Sequence, residues 1–260
     1  THNIVHLSTI PHKGYVHTAL TVFWITEVFR KIQTHLVAYG RKIYDYLPTG
    51  TYPADLHLRA IIGHRLTLLP VSFNFRSHMA GSLWRDYYAL GQLNPCGIGL
   101  PAGLQLMSAL HSPMFTPTAK SETDDPLNAE EISKRYLEAY RLTLGAYKMG
   151  RTYADTRYIS IIDGEFEVGT DSSGQLRLGD CLTPDSCRFV RTDDIQVGQS
   201  PPWPDTHYLH EEAESLWGSG PRIPLAFDQH VIIEASQRLE DIVYELTDSP
   251  LKVYQSTHLP

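Results

Sequence analysis

Cysteine is scarce in this chain of 260 residues, and a long apolar run is absent. The three cysteines, Cys96, Cys181 and Cys187, are odd in number and lack paired zinc-ligand spacing. This pattern argues against a disulfide framework and a structural zinc site, so we expect Cys181 and Cys187 to be small packing residues. No stretch is apolar enough to cross a bilayer, and the start does not resemble a signal peptide. The sequence therefore predicts a soluble, cytosolic protein.

Positive charge is also in short supply. The chain has 22 lysines and arginines against 29 aspartates and glutamates, which gives a formal net charge of -7 at pH 7. This balance argues against a general nucleic-acid-binding protein. Thirteen histidines are present, but they are scattered and form no H-E-x-x-H pattern. The length suits one large domain or two small ones with a substantial core.

Helical and extended patterns are mixed along the chain without the regular alternation of a doubly wound sheet. Apolar residues recur at helical spacing over 15–33, 129–148, 208–217 and 227–246. A strand is predicted over 64–75, where Pro70 implies an edge position or a bulge. A short helix is predicted over 79–90, with Ser82 suited to the N-cap position. The mixture predicts an α+β fold.

A β-hairpin is predicted over 158–178. Its first part is rich in β-branched and aromatic residues, a turn cluster follows at 170–174, and a short alternating strand closes it. Because successive side chains on a strand point to opposite faces, Asp163, Glu165 and Glu167 share one face. Glu167 then lies near Asp180, and two convergent carboxylates suit Mg²⁺. A solvated acidic strand face is an equally good interpretation.

Other reactive side chains stand at predicted loops or element ends, where functional groups tend to lie. Lys13 precedes the first helix, and Lys120 ends a proline-ordered loop. Arg76 and Ser82 flank a small-residue turn before a helix, an arrangement that offers backbone N–H groups and a guanidinium to an anion. Solvated lysines and a capped helix with an ion pair are the structural alternatives.

The segment from Asp180 to Arg188 is the most informative stretch of the sequence. It places a carboxylate after the hairpin, and then a proline-fixed turn that offers Asp185, Ser186 and a guanidinium. These groups could hold a metal and an anion together. An ordinary turn explains the same residues, because Asp and Ser readily bond their own backbone after a proline.

Six segments occur in a distinctive order: IPHKG at 10–14, RSHMAGSLWRDY at 76–87, GLPAGL at 99–104, SPMFTPTAK at 112–120, FEVG at 166–169 and GDCLTPDSCRF at 179–189. Together they resemble the phosphoribosylaminoimidazole-succinocarboxamide synthase family, the SAICAR synthetases of purine synthesis. The match spans almost the whole chain.

The resemblance implies an antiparallel-sheet N-terminal lobe, a larger α+β C-terminal lobe and an ATP site between them. Residues 1–74 correspond to the nucleotide-binding lobe, and residues 75–260 to the substrate- and metal-binding lobe. The implied enzyme is an ATP- and Mg²⁺-dependent ligase that joins an azole ribotide carboxylate to an amino acid such as aspartate through an acyl phosphate. Its implied partners are small molecules, with neither nucleic acid nor membrane, and a homo-oligomer is compatible with the family.

Roles follow by matching positions to the family motifs. Glu167 and Asp180 look like the Mg²⁺ ligands. Lys13 and Lys120 look like contacts to the nucleotide or the acidic substrate. The residues that look like contacts to the ribotide phosphate or carboxylate, or part of that substrate loop, are Arg76, Ser82, Asp185, Ser186 and Arg188.

Several positions depart from the family pattern. Glu165 stands where the family has a lysine, Cys181 replaces an acidic residue, and His78 replaces a tyrosine. Thr206 and His210 stand where the family has a lysine and an arginine. A carboxylate beside phosphates repels them unless a cation, a metal or an amine compensates. These departures favour a divergent ligase that uses another azole carboxylate or another amine.

Two other hypotheses stay open: a true SAICAR synthetase with unusual substitutions, and a catalytically inactive relative that binds a nucleotide or a partner protein. An alternative alignment places residues 154–158 on the family's A-D-T-K-F and restores a basic residue at Arg157, but it requires an insertion before FEVG. The first residues match the family just after its glycine-rich nucleotide hairpin. The expectation is that residues precede Thr1 or that this lid is missing.

Overall fold

The computed structural model describes residues 8–91, 93, 95–121, 123–204, 206–218 and 226–260. The strands in these ranges are β1 (Leu36–Ala38), β2 (Ile62–Gly63), β3 (Thr67–Leu68), β4 (Val71–His78), β5 (Ala109–Phe115), β6 (Thr118–Ala119), β7 (Ile159–Phe166), β8 (Val168–Thr170), β9 (Leu176–Leu178) and β10 (Cys187–Arg191). The α-helices are α1 (Lys13–Phe23), α2 (Gly81–Leu90), α3 (Ala129–Arg135), α4 (Leu137–Asp155), α5 (His207–Trp217), α6 (Gln229–Thr247) and α7 (Leu251–His258). The predicted α+β class is confirmed. The motif residues 1–4 and Asp205 lie outside the described ranges.

The central sheet is antiparallel and has the order β10-β7-β4-β5, with β6 paired to the start of β4. Its register places Asp163 of β7 directly opposite two arginines, Arg76 on β4 and Arg188 on β10. Side chains opposed in this way have Cβ atoms about 5 Å apart. The strand pairing alone therefore brings one carboxylate between two guanidinium groups.

The hairpin predicted over 158–178 is confirmed only in its second part, β8 and β9; the first part of the predicted strand is β7, which belongs to the central sheet. β8 pairs with β9 in the register Val168↔Leu178, and their turn is fixed by Asp171, whose Oδ1 accepts from the N–H groups of Ser173 at 2.9 Å and Gln175 at 3.0 Å. The N–H of Gly179 then donates to the carbonyl of Glu167 at 2.8 Å. Asp180 follows Gly179 directly. Glu167 and Asp180 consequently lie at the same end of the hairpin.

An apolar layer of helices supports the central sheet. α4 packs on β7 and β4, and α1 packs on α6 and α7. Phe75, Tyr147 and Phe166 are fully buried, with Phe75 stacked on Tyr147 and edge-to-face with Phe166. Burial of each large apolar side chain contributes about 1.5–3 kcal/mol. This apolar layer therefore stabilises the central sheet, whose strands carry the two arginines.

Two predicted helices differ from the observed elements. The helix predicted over 15–33 is α1 followed by a π-helical turn, Trp24–Val28. The helix predicted over 129–148 is divided into α3 and α4 at Tyr136, whose φ of -119° and ψ of 48° are not helical. The helices predicted over 208–217 and 227–246 are α5 and α6, and α7 was not foreseen.

The strand predicted over 64–75 is also wrong as a single element. It is β3 and β4, which belong to different sheets and are separated by Leu69 and Pro70. Proline lacks the N–H that a continuous ladder needs, so the chain changes sheets there. β4 itself lies inside its sheet rather than at an edge.

Ser82 does not cap α2. The N-cap residue is Ala80, which is extended at φ -148° and ψ 167°, and its side chain makes no capping hydrogen bond. The Ser82 hydroxyl instead accepts from Arg76. The polar side chain at the start of α2 is therefore committed to the arginine rather than to the helix.

The boundary placed between residues 74 and 75 falls inside β4. The two-lobe division stays a prediction, as do the cytosolic location and a homo-oligomeric state. Cys181 and Cys187 are buried, as expected of packing residues. No helix within the described ranges is both long and apolar enough to span a membrane.

Candidate active site

A cavity of about 450 Å³ opens where β4, β7 and β10 meet the start of α2 and the turn before β10. Of the residues predicted for a site, it brings together Arg76, Ser82, Asp185, Ser186 and Arg188. Lys13, Lys120, Glu167 and Asp180 are not among its lining residues. Further lining residues include Asn74, Arg85, Asp86, Thr118, Asp124, Asp163, Glu165 and His207.

One carboxylate serves two arginines in this cavity. Arg76 Nη1 donates to Asp163 Oδ2 at 3.0 Å, and Arg188 Nη1 forms an ion pair with the same oxygen. All three side chains are largely buried. Burial lowers the pKa of Arg76, and the charge of Arg188 acts in the same direction, while Asp163 opposes both. The group keeps one uncompensated positive charge, which suits it to an anion.

Further hydrogen bonds fix the orientation of each guanidinium. Arg76 donates through Nε to Thr116 Oγ1 and through Nη2 to Ser82 Oγ, both at 2.9 Å. Arg188 donates through Nε to His207 Nε2 at 2.5 Å. Pre-oriented guanidiniums bind phosphate or carboxylate oxygens with little loss of side-chain freedom.

Gly81 is required at the start of α2 by the position of Arg188. Its φ is +56°, a left-handed value that glycine adopts without strain. A Cβ atom there would lie 2.6 Å from Arg188 Cζ, which is inside van der Waals contact. The small-residue turn seen in the sequence is thus explained by the room that the guanidinium needs.

The turn before β10 is tied to β7 by its backbone. Ser186 Oγ donates to the carbonyl of Cys181 at 2.5 Å, and the N–H of Glu165 donates to the carbonyl of Ser186 at 2.7 Å. Thr206 Oγ1 donates to the carbonyl of Pro184 at 2.7 Å. The predicted local turn is therefore present, and it also contributes to the cavity wall.

Lys13 reaches this turn from the start of α1. Its Nζ lies 2.8 Å from Asp185 Oδ1, and His17 Nε2 lies 3.6 Å from Asp185 Oδ2. Burial lowers the pKa of His17, with Asp185 opposing the shift, so the imidazole is neutral at neutral pH. Two residues predicted for different roles, Lys13 and Asp185, are thus in direct contact.

The two predicted metal ligands lie beside the cavity. Glu167 forms an ion pair with Lys120, and Asp180 Oδ1 accepts from the N–H of Cys181 at 2.6 Å. Burial raises the pKa of Asp180 to about 7, and repulsion from Glu167 and Glu165 adds to the shift. Across the ranges that the structure describes, no three or more His, Cys, Asp or Glu side chains cluster closely enough to hold a metal by themselves.

Sequence reasoning missed the central role of Asp163. It identified that residue only as one acid on a strand face, because the two arginines come from strands distant in sequence. His207 was also missed, since its importance depends on the contact with Arg188. The acid's position on the same face as Glu165 and Glu167 was the one available signal.

The SAICAR synthetase family model matches residues 1–219 of this chain. A phosphoribosylaminoimidazole-succinocarboxamide synthase from Stenotrophomonas maltophilia (strain K279a) is 34% identical over 249 residues, covering 90% of this chain and 79% of the relative. One from Geobacter sulfurreducens is 32% identical over 255 residues, covering 94% of this chain and 84% of the relative.

Solved structures of the same family share the fold. The SAICAR synthase from Saccharomyces cerevisiae, complexed with SAICAR, has a TM-score of 0.81 and 25% identity, and the match covers 96% of this chain and 86% of that chain. A SAICAR synthetase in complex with ADP has a TM-score of 0.63 at 17% identity, a likeness of fold alone. The resemblance predicted from six motifs is confirmed together with the enzyme class that it implied, and the chain belongs to the SAICAR synthetase family.

Proposed function

We propose that this protein is an ATP- and Mg²⁺-dependent carboxylate–amine ligase. It forms an amide between the carboxylate of an azole ribotide and an amino acid such as aspartate, through an acyl phosphate. Phosphorylation is needed because a free carboxylate is a poor electrophile and an acyl phosphate has a good leaving group. Such catalysis rests mainly on positioning several anions and neutralising their charge.

The observation that carries the proposal is the pair of guanidiniums that share Asp163. Arg76 and Arg188 present fixed donors to the cavity and keep an uncompensated positive charge. With Ser82 and Ser186 beside them, they are suited to the phosphate of a ribotide. In this proposal, the azole carboxylate of a ligand anchored there would lie toward Glu167 and Asp180.

Glu167 and Asp180 are the proposed Mg²⁺ ligands. Both offer hard oxygen donors, which Mg²⁺ prefers. Burial and the neighbouring carboxylates raise the pKa of Asp180, and a divalent cation bound there would offset their mutual repulsion. Two protein carboxylates are sufficient for Mg²⁺ when waters and substrate phosphates complete its coordination. Bound there, the ion would neutralise charge on the nucleotide phosphates.

Lys13 and Lys120 are the proposed nucleotide contacts. Each forms an ion pair with a carboxylate of the same region, Asp185 or Glu167, and phosphate oxygens compete for the same ammonium groups. Residues 1–74 serve in this proposal as the nucleotide-binding lobe and residues 75–260 as the substrate- and metal-binding lobe.

ADP release in a coupled assay tests the proposed function. The assay contains ATP, Mg²⁺, the aminoimidazole carboxylate ribotide and aspartate, and omits each in turn. We expect release that requires ATP, Mg²⁺ and the ribotide. Arg76→Met is expected to lower kcat/KM for the ribotide at least about 100-fold, because it removes a charged, multiply bonded anchor. Arg141→Met, at an exposed position of α4, is the matched control. Absence of ADP release, or equal activity in both variants, contradicts the proposal.

The SAICAR synthetase reaction itself is the second candidate. It is favoured by relatives of that name that match most of the chain. Robust turnover with the ribotide and aspartate identifies this reaction and removes the need for another substrate. An inactive relative is the remaining hypothesis, and calorimetry that detects no binding of ATP with Mg²⁺ would support it.

A further inference from the structure

Glu165 occupies a distinct position among the three acids in β7 or just after its end. Asp163 pairs with two arginines, and Glu167 pairs with Lys120. Glu165 lies between them in sequence and lines the cavity, and the charge of Lys120 acts on it without a direct ion pair. Among the residues that the structure describes, no lysine or arginine forms an ion pair with it. A carboxylate that faces a ligand cavity without such a partner favours a cation.

Hydrogen-bond acceptors surround Glu165 at this end of the cavity. Asn74 stands directly opposite it on β4, and Asn74 Nδ2 donates to Thr118 Oγ1 at 3.2 Å, which leaves the amide oxygen as an acceptor. The carboxylate of Asp124 lines the same cavity. An ammonium group has three N–H donors and no acceptor, so it complements this set of three oxygen-bearing side chains.

The spacing along β7 relates this position to the proposed reaction. Residues two apart on a strand are about 7 Å apart. Glu165 is therefore about one such step from Asp163, which marks the arginine pair. Glu167, a proposed metal ligand, follows just after the end of β7. If a ribotide were held at the arginines and phosphorylated on the side of Glu167 and Asp180, its acyl carbon would lie near Glu165. An ammonium group bound there would lose a proton to solvent, attack that carbon and displace inorganic phosphate.

We propose that Glu165 binds the ammonium group of the amine cosubstrate, assisted by Asp124 and Asn74. The inference rests on the proposed function and assigns its second substrate to a place in the cavity. The same carboxylate repels a second anion, so the arginine end receives the ribotide phosphate and the Glu165 end receives the amine. Glu165 is thereby a specificity-determining residue.

Two nucleophiles separate this inference from the proposed function. Aspartate and ornithine carry ammonium groups, whereas hydroxylamine is largely uncharged at pH 7.5 and traps an acyl phosphate as a hydroxamate. The wild-type protein, Glu165→Gln, Glu165→Asp and Glu165→Lys are assayed for both products with saturating ATP, Mg²⁺ and the aminoimidazole carboxylate ribotide. Glu138→Gln, at an exposed position of α4, is the control, and thermal unfolding verifies that each variant is folded.

The expected result for Glu165→Gln is a fall of at least about tenfold in the ratio of amide to hydroxamate formation, because charged hydrogen bonds are strong. This fall in the ratio is expected to come from a higher KM for the amino acid. Glu165→Lys should show a larger fall, and Glu165→Asp should keep a ratio close to that of the wild type. An unchanged ratio in Glu165→Gln, or amide formation by neither amino acid while hydroxamate forms, overturns the inference. Absence of hydroxamate with the wild-type protein overturns the proposed function itself.

Discussion

Asp163 is the residue on which the geometry of the candidate site depends. Its Oδ2 accepts from both Arg76 and Arg188, and the strand register explains why the three side chains meet. A buried carboxylate between two guanidiniums limits their mutual repulsion and fixes their spacing. It therefore acts on both the stability of the sheet and the position of a bound anion.

Asp163→Asn is expected to destabilise the protein by about 3 kcal/mol, because loss of one partner leaves buried charges uncompensated. Urea unfolding measures the change. Glu130→Gln removes an exposed ion pair with Lys134 and should leave the unfolding midpoint nearly unchanged. Equal midpoints for Asp163→Asn and Glu130→Gln would show that the buried group contributes little to folding.

Asp180 gives the fold a specific pH dependence in metal-free buffer. An unfolded aspartate loses its proton near pH 3.8, whereas burial raises the pKa of folded Asp180 to about 7. Between these values the folded state binds more protons, so this group lowers stability as pH rises from about 4 to about 7. Asp180→Asn removes that loss.

The Asp180→Asn variant is therefore expected to be more stable than the wild type at pH 8, by about 1 kcal/mol or more, and to gain much less at pH 4. Unfolding by urea at both pH values, with a chelator present, measures the difference. A gain of the same size at pH 4 and pH 8 would mean that ionisation of Asp180 is not its cause.

At the scale of elements, local patterns identified the hairpin, the turn before β10, α5 and α6. These features depend on near neighbours, such as Asp171 with the N–H groups of Ser173 and Gln175. The division of 64–75 into two sheets was not predictable locally, because β3 pairs with β8, which is distant in sequence. The role of Ser82 was misassigned for another reason: its partner Arg76 is only six residues away, but a serine at the start of a helix is just as typical of an N-cap.

The start of α2 must stay close to β10 for Arg188 to keep its position. Gly81→Ala is expected to raise KM for the ribotide at least about tenfold, because the added Cβ overlaps the Arg188 guanidinium. Gly91→Ala is a matched control: its φ is also positive, at +64°, but nothing lies within 4 Å of the added atom. Steady-state kinetics are measured for both variants. Gly81→Ala combines backbone strain with displacement of Arg188, whereas Gly91→Ala introduces backbone strain alone. The same KM in the two variants would refute the steric explanation.

At the scale of the whole molecule, the family and the α+β class could be predicted because six motifs keep their order along the chain. The motifs predicted Arg76 and Arg188 as anion contacts, but they did not reveal that both bind Asp163. The cavity at Glu165 was equally hidden, because Asn74 and Asp124 reach it from other segments. The order of the motifs thus predicted the family, whereas the strand register determines which of the candidate side chains are in contact.

In the proposed reaction, a ribotide carboxylate is activated by phosphorylation, and an amine then displaces the phosphate. The most direct measurement follows ¹⁸O from the labelled carboxylate of the aminoimidazole ribotide during turnover with ATP, Mg²⁺ and an amino acid. If an acyl phosphate forms, its C–O bond breaks and one ¹⁸O atom appears in inorganic phosphate for each amide made. Amide formation with no ¹⁸O in the phosphate would rule out an acyl phosphate intermediate.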